Sequence, residues 1–379
     1  MISDFLAPVE NEILKFKKDL PQASVGKKIS CYGVDVCDLS KTDIALVGLN
    51  ESRGSDDVNK NYLKTNNLRK ELYSLFCGDW SVNLIDLGDV INGDKLSDSY
   101  YAIQIISEIL LKNNVIPIFI GGTQDLTFPI YKSYCKKGVD INLTTIDNKF
   151  DVGQIKKEIN NRSFLSNIII DEKNELNHYS NIGFQTFLNS QEEIDLLEKM
   201  HFESYRLGEV NSNIEIIEPC LRNSNIISVD FKSIKASELN FAHNYPNGFQ
   251  SNQICVISRY IGLSNNVSSF GIFEVFDNDI SCSLLSQVIW YFIEGFSLRI
   301  AENPRNEDFK GKSYHVSIGN EQLKFFKSEL SQKWWLELNG LNNNSNDSTL
   351  IPCSNQDYID ACNQKISKRI LLSLKRNFV

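Results

Sequence analysis

Val115-Ile116-Pro117-Ile118-Phe119-Ile120-Gly121-Gly122-Thr123-Gln124 sets the frame for the whole chain. Its apolar run is too short for a helix and has no polar face, as expected of a strand covered on both sides. A glycine pair ends the run, and polar side chains follow at its carboxyl end. Two further stretches repeat the arrangement. Ile141-Asn142-Leu143-Thr144-Thr145-Ile146 leads into Asp147-Asn148-Lys149-Phe150-Asp151, and Asn225-Ile226-Ile227 leads into Ser228-Val229-Asp230-Phe231-Lys232.

Working outward, residues 43–49, 82–86, 167–171, 181–184 and 267–273 also read as strands. Residues 67–77, 97–113, 191–201 and 250–263 have helical spacing, the first through Leu68, Leu72, Leu75 and Phe76. Buried strands alternating with amphipathic helices predict an α/β fold, a three-layer α-β-α sandwich around a largely parallel sheet. Such sheets bind ligands at the carboxyl ends of their strands, where the three polar clusters fall. After residue 302 the pattern changes. Residues 313–318, 322–327 and 333–338 read as short strands with turns that include Gly319-Asn320. A polar loop at 339–347 and helices at 355–363 and 366–375 complete the chain. The expected organisation is therefore a domain over 1–302 and a small β-rich C-terminal appendage over 303–379. Trp334-Trp335 reads as packing within that appendage, and the basic groups Lys368-Arg369 and Lys375-Arg376 as a solvated helix face.

The 379 residues are 42% hydrophobic and carry a net charge of -9, which argues against a general nucleic-acid binder. No apolar run approaches the roughly 20 residues of a membrane-spanning helix. The start, Met1-Ile2-Ser3-Asp4-Phe5-Leu6, lacks the charge and apolar stretch of a signal peptide. Nine cysteines without a C-x-x-C pair predict reduced, inert thiols and a cytoplasmic location. Abundant Asn, Lys and Ile point to a bacterial source.

The three strand ends together resemble the metal-binding signatures of the arginase, agmatinase and formimidoylglutamase family, the ureohydrolases, which read G-G-x-His, D-A-H-x-D and S-x-D-x-D. Other stretches are similar in order and context: Gly48-Leu49-Asn50-Glu51-Ser52-Arg53-Gly54, Asn67-Leu68-Arg69, Ile85-Asp86-Leu87-Gly88-Asp89 and Asn247-Gly248-Phe249. The similarity spans about residues 40–300 and looks closest to the formimidoylglutamase-like group of the Bacteroidota. The resemblance implies an arginase-like fold, a homo-oligomer, and two manganese ions sharing a hydroxide that attacks an amidine carbon.

Carried over residue by residue, the resemblance is mixed. Asp147, Asp151 and Asp230 match ligands of the first metal, whose histidine is replaced by Gln124. Lys149 and Lys232 stand where the second metal's remaining ligands belong. An ammonium has no lone pair to give a metal. Glu274, in Phe273-Glu274-Val275, matches the family's late glutamate near the substrate pocket. The four histidines, His178, His201, His243 and His315, all lie outside the motifs; His243 follows the third cluster and reads as a surface or packing residue.

Two readings follow. In one, Lys149 and Lys232 replace the missing metal charge by pairing with Asp147 and Asp230, leaving a catalytically impaired protein that binds a small molecule or a protein partner, or serves as a scaffold. In the other, Gln124, Asp147, Asp151 and Asp230 hold a single Mn2+, Mg2+ or Ca2+, and Lys149 or Glu274 assists hydrolysis of a C–N bond in a linear amidine such as N-formimidoyl-glutamate or a guanidino compound. Neither reading expects full dinuclear occupancy, nucleic acid or membrane insertion.

Overall fold

In a computed structural model the chain is described at residues 2–35, 38–56, 62–135, 140–154, 158–171, 175–241, 244–319, 321–338 and 348–378. His243, Asn320 and the polar loop at 339–347 lie outside the described residues.

The strands in chain order are β1 (Leu6–Ala7), β2 (Ser30–Cys31), β3 (Ile44–Gly48), β4 (Leu84–Val90), β5 (Ile116–Ile120), β6 (Ile141–Ile146), β7 (Leu176–Phe184), β8 (Glu203–Arg206), β9 (Ile226–Asp230) and β10 (Ser269–Phe273). They form one sheet in the order β1-β4-β3-β5-β10-β9-β6-β7-β8, with β2 also paired to β4. Every pairing is parallel except the short β1 against β4. Side chains alternate between two apolar layers, as strand geometry requires. Ile44 and Leu46 of β3 join one layer with Leu68 and Leu72, while Ala45 and Val47 join the other with Ile103 and Ile106. Helices Thr65–Ser74, Ser251–Leu263 and Asp279–Ser297 cover the first face, and Leu96–Lys112 and Thr127–Tyr134 the second. This is the expected three-layer fold. None of the described helices is long and apolar enough to cross a membrane, and the described cysteines are free thiols.

Residues 167–171 depart from expectation. The run Asn167-Ile168-Ile169-Ile170-Asp171 has strand propensity, yet Phe164–Ile169 is a helix. Phe164, Leu165 and Ile168 are buried on one side of it while Ile170 is 53% exposed, so packing against the second layer overrides the β-branched preference. The short strands β1, β2 and β8 gave no pattern long enough to read.

Beyond the long helix, β11 (Gly311–Ile318), β12 (Glu321–Ser328), β13 (Trp334–Leu338) and β14 (Thr349–Cys353) make a separate antiparallel sheet in sequential order. It has its own apolar core, including Phe325, Trp334, Leu336 and Ile351. Arg222 ties this sheet to the main body: its Nη2 donates to the carbonyls of Trp334 (3.0 Å) and Cys353 (3.1 Å), and its guanidinium lies 4.8 Å from the Trp335 ring. The basic C-terminal helix Lys368–Phe378 corrects the sequence reading of a solvated face. Arg369 is buried, with its Nε 3.3 Å from Glu203 Oε2, and Arg376 approaches the same carboxylate at 3.7 Å. The buried Glu203 supplies the charge that draws both inward, and it is distant in sequence from the helix.

Candidate functional site

Strands β5, β10, β9 and β6 are consecutive neighbours in the sheet, and their carboxyl ends bring together Gln124, Glu274, Asp230 and the Asp147–Asp151 loop. The order matters because β5 and β6, adjacent in sequence, are held apart by two strands inserted between them. That is a topological switch point, the place where open parallel sheets form sites.

Backbone geometry then aims the side chains. Gly121 and Gly122 both take positive φ, 92° and 70°. A Cβ on Gly122 would lie 2.7 Å from the Glu51 carbonyl oxygen, so the loop after β3 can close against this turn only if glycine stands there. The turn presents the Gln124 N–H to Glu274 Oε1 at 3.0 Å, while the Glu274 N–H donates to the Gly122 carbonyl at 3.0 Å. Asp147 and Asp230 share one local device. Asp147 Oδ1 accepts from the Lys149 N–H at 2.8 Å, and Asp230 Oδ1 accepts from the Lys232 N–H at 2.6 Å. Asn148 Nδ2 donates to the Lys232 carbonyl at 3.0 Å, linking the two loops. Asp151 and Glu274 are non-glycine residues at φ 52° and 58°, a conformation that costs on the order of 1 kcal/mol or more and recurs at functional sites.

The two lysines part company. Lys232 Nζ lies 2.5 Å from Glu274 Oε2, with the carboxylate buried and the lysine side chain 17% exposed. Tyr62 Oη donates to the same oxygen at 3.1 Å, and Asn161 Nδ2 donates to Glu274 Oε1 at 3.0 Å. Phe276, stacked between Tyr62 and Phe241, lies with its ring centroid 5.9 Å from the ammonium. The expected partners of Lys232 were Asp147 and Asp230. Its ammonium contacts Glu274, and its charge also holds down the proton affinity of both aspartates. Lys149 makes no ion pair among the described residues; its ammonium sits 5.9 Å from the Tyr245 ring centroid.

Electrostatically the site is a buried cluster of carboxylates with one inward cation. Burial pushes Asp147 up to about 7, opposed by hydrogen bonds from its neighbours and by Lys232. Burial, then the charges of Asp147 and Asp230, drives Asp151 well above the carboxylate range. Asp230 is raised by burial and by Asp147, against the pull of Lys232. Gln124 Oε1, Asp147 Oδ2 and the neighbouring Asp125 Oδ1 are among the buried acceptors without a hydrogen-bond partner. The Gln124 amide reaches Ser228 Oγ through Nε2 at 3.3 Å.

The dimanganese pattern implied by the sequence resemblance does not fit this donor set. Lys149 and Lys232 have no lone pairs to offer while charged, and Lys232 is engaged with Glu274. Among the described residues no group of three or more His, Cys, Asp or Glu side chains is arranged to hold a metal ion. Sequence reasoning missed Tyr62 and Asn161, which hold Glu274 from loops with no recognisable motif. It also missed Asp125, fully buried beside Gln124, where Tyr100 Oη donates to it at 2.5 Å. Burial brings Asp125 to about 7.

Comparisons with known proteins agree with this fold. A sequence model of the arginase family matches residues 52–292. No match was found among curated protein sequences. Solved structures share the fold at low identity. Formiminoglutamase from Trypanosoma cruzi, a structure with manganese, is 16% identical with a TM-score of 0.65, covering 74% of this chain and 100% of its own. Formimidoylglutamase from Bacillus subtilis is 18% identical with a TM-score of 0.63, covering 77% and 95%. A hypothetical agmatinase from Burkholderia thailandensis is 16% identical with a TM-score of 0.58, covering 69% and 88%.

Proposed function

This chain belongs to the arginase family, and we propose that it is a formimidoylglutamase-like member in which a lysine has taken over the charge of a metal, leaving a catalytically impaired protein that binds a small molecule or a protein partner. The observation that carries this reading is the Lys232–Glu274 contact at 2.5 Å within the cluster of Asp147, Asp151 and Asp230. Dimetal hydrolysis needs cations that bind water and depress its pKa by many units. A lysine ammonium offers one positive charge and no coordination site. It can hold carboxylates together, but it cannot make a metal-bound hydroxide. Glu274, which the resemblance places near the substrate, is kept while the nucleophile's source is lost.

The direct test is an assay of the full chain, with manganese supplied, for formamide release from N-formimidoyl-glutamate and urea release from arginine and agmatine. Turnover should stay far below the roughly 1 per second of an ordinary enzyme. Turnover at that rate or faster would overturn the reading.

The unpartnered buried oxygens of Gln124 and Asp147 favour a second reading, in which Gln124, Asp147, Asp151 and Asp230 hold one hard cation. The ion would have to draw the aspartates together, since they are not arranged around a metal as they stand. Its chemistry would be to polarise water or substrate, with Lys149, whose ammonium makes no ion pair among the described residues, as the candidate base. The charge-replacement reading satisfies the same oxygens differently. If the Gln124 amide turns over, Nε2 faces Asp147 and Oε1 faces Ser228. Asp151→Ala separates the two: any manganese-, magnesium- or calcium-dependent hydrolysis must vanish in that variant under the single-ion reading, and there is none to lose under the first.

A further inference from the structure

We propose a second ligand site, away from the carboxylate cluster, at the seam between the sheet edge and the C-terminal helix: a pocket for a small amphipathic monocarboxylate. A cavity of about 260 Å³ lies there. Its apolar walls are Phe184, Ile194 and Ile216 from the main body and Leu372 from the helix Lys368–Phe378. That volume falls just under the roughly 300–1,000 Å³ of ordinary ligand clefts, which limits the occupant to a short-chain molecule.

The charges around the cavity decide the head group. Glu203 is spoken for: it accepts from Tyr205 Oη at 2.8 Å and lies 3.2 Å from His178 Nε2, 3.3 Å from Arg369 and 3.7 Å from Arg376. Arg369 is further used on the carbonyls of Pro352 and Pro219. At the rim, Lys368 faces Glu198 at 3.9 Å, and Glu209 accepts from the Arg206 backbone N–H at 3.1 Å. Arg206 remains. Its guanidinium lies 5.8 Å from the Phe184 ring centroid and makes no ion pair among the described residues. The exposed Arg206 guanidinium in the lining of this mixed cavity complements a carboxylate whose hydrocarbon body enters between Phe184, Ile194, Ile216 and Leu372. Because Leu372 and Lys368 belong to the C-terminal helix, such a ligand bridges the appendage to the edge strand β8.

Octanoate is the probe. Calorimetric titration of the full chain should give one octanoate per chain with a Kd of about 1 mM or tighter. Octylamine, which has the same tail with the opposite charge, should bind at least about tenfold more weakly. Arg206→Gln should weaken octanoate about tenfold, the size of one charge-assisted contact at a partly exposed site. Leu372→Trp and, from the opposite wall, Ile216→Trp should each abolish binding by filling the space; circular dichroism identifies which of the two stays folded. Absence of octanoate binding at several times that concentration, equal binding of octylamine, or binding that survives in a folded cavity-filled variant would each overturn the proposal.

Discussion

Replacing Lys232 with Met should lower the stability of the chain by about 2–4 kcal/mol, because it leaves a buried carboxylate without its ion partner. Glu274 is 1% exposed and Lys232 Nζ is 2.5 Å from it. Glu274 would keep donors from the Gln124 N–H, Asn161 and Tyr62, so the loss stays below that of a bare buried charge. Lys149→Met should cost less than about 1 kcal/mol, the scale of a single cation–aromatic contact, since its ammonium makes no ion pair among the described residues and lies 5.9 Å from the Tyr245 ring centroid. The pH dependence has a definite sign. Asp147 titrates near 3.8 when unfolded and about 7 when folded, so its contribution is fully present below 3.8 and is lost as pH rises toward 7. Lys232 opposes that shift in both Asp147 and Asp230. Removing it raises both further, so the Lys232→Met deficit should be larger at pH 8 than at pH 5. Urea unfolding at the two pH values measures this; equal melting behaviour of both lysine variants and wild type would show that neither lysine holds the cluster.

The second large effect is a gain. Gln124→His, Lys149→His and Lys232→Asp together restore the ligand types that the family resemblance places at these positions. Without metal, the new aspartate faces Glu274, Asp147 and Asp230 with no cation among them, so the apo variant should be markedly less stable than wild type. Manganese should then stabilise it by about 3 kcal/mol at a hundredfold excess over its Kd, while wild type shows no comparable rise. Thermal unfolding with and without manganese reads both arms. A restored variant indifferent to manganese would mean that the loops, and not only the ligands, have left the dimetal arrangement.

Much of this was legible in the residues. The runs that became β5, β6 and β9 end in polar clusters, and parallel-sheet geometry places such ends at a common edge; the family resemblance then singled out Gln124, Asp147 and Asp230 there. The Lys232–Glu274 contact was not legible, because Glu274 directly follows β10, which enters the sheet beside β9 through a long helix. Side-chain pairing across strands depends on strand order, which no local run encodes. Tyr62 and Asn161 were hidden for the same reason: they reach Glu274 from loops whose composition reads only as polar. The helix Phe164–Ile169 was misread because an isoleucine run has the same propensity whether it forms a strand or packs as one helical face. Arg369 looked solvated because the buried Glu203 that receives it belongs to an edge strand only a few residues long.

The metal content of the wild-type chain tests most directly whether a lysine has replaced the metal charge. Full-length protein incubated with excess manganese, desalted and subjected to elemental analysis should retain far fewer than the two ions of a dinuclear centre, because Lys149 and Lys232 stand at ligand positions and one of them is held by Glu274. Two tightly retained manganese ions per chain would contradict it.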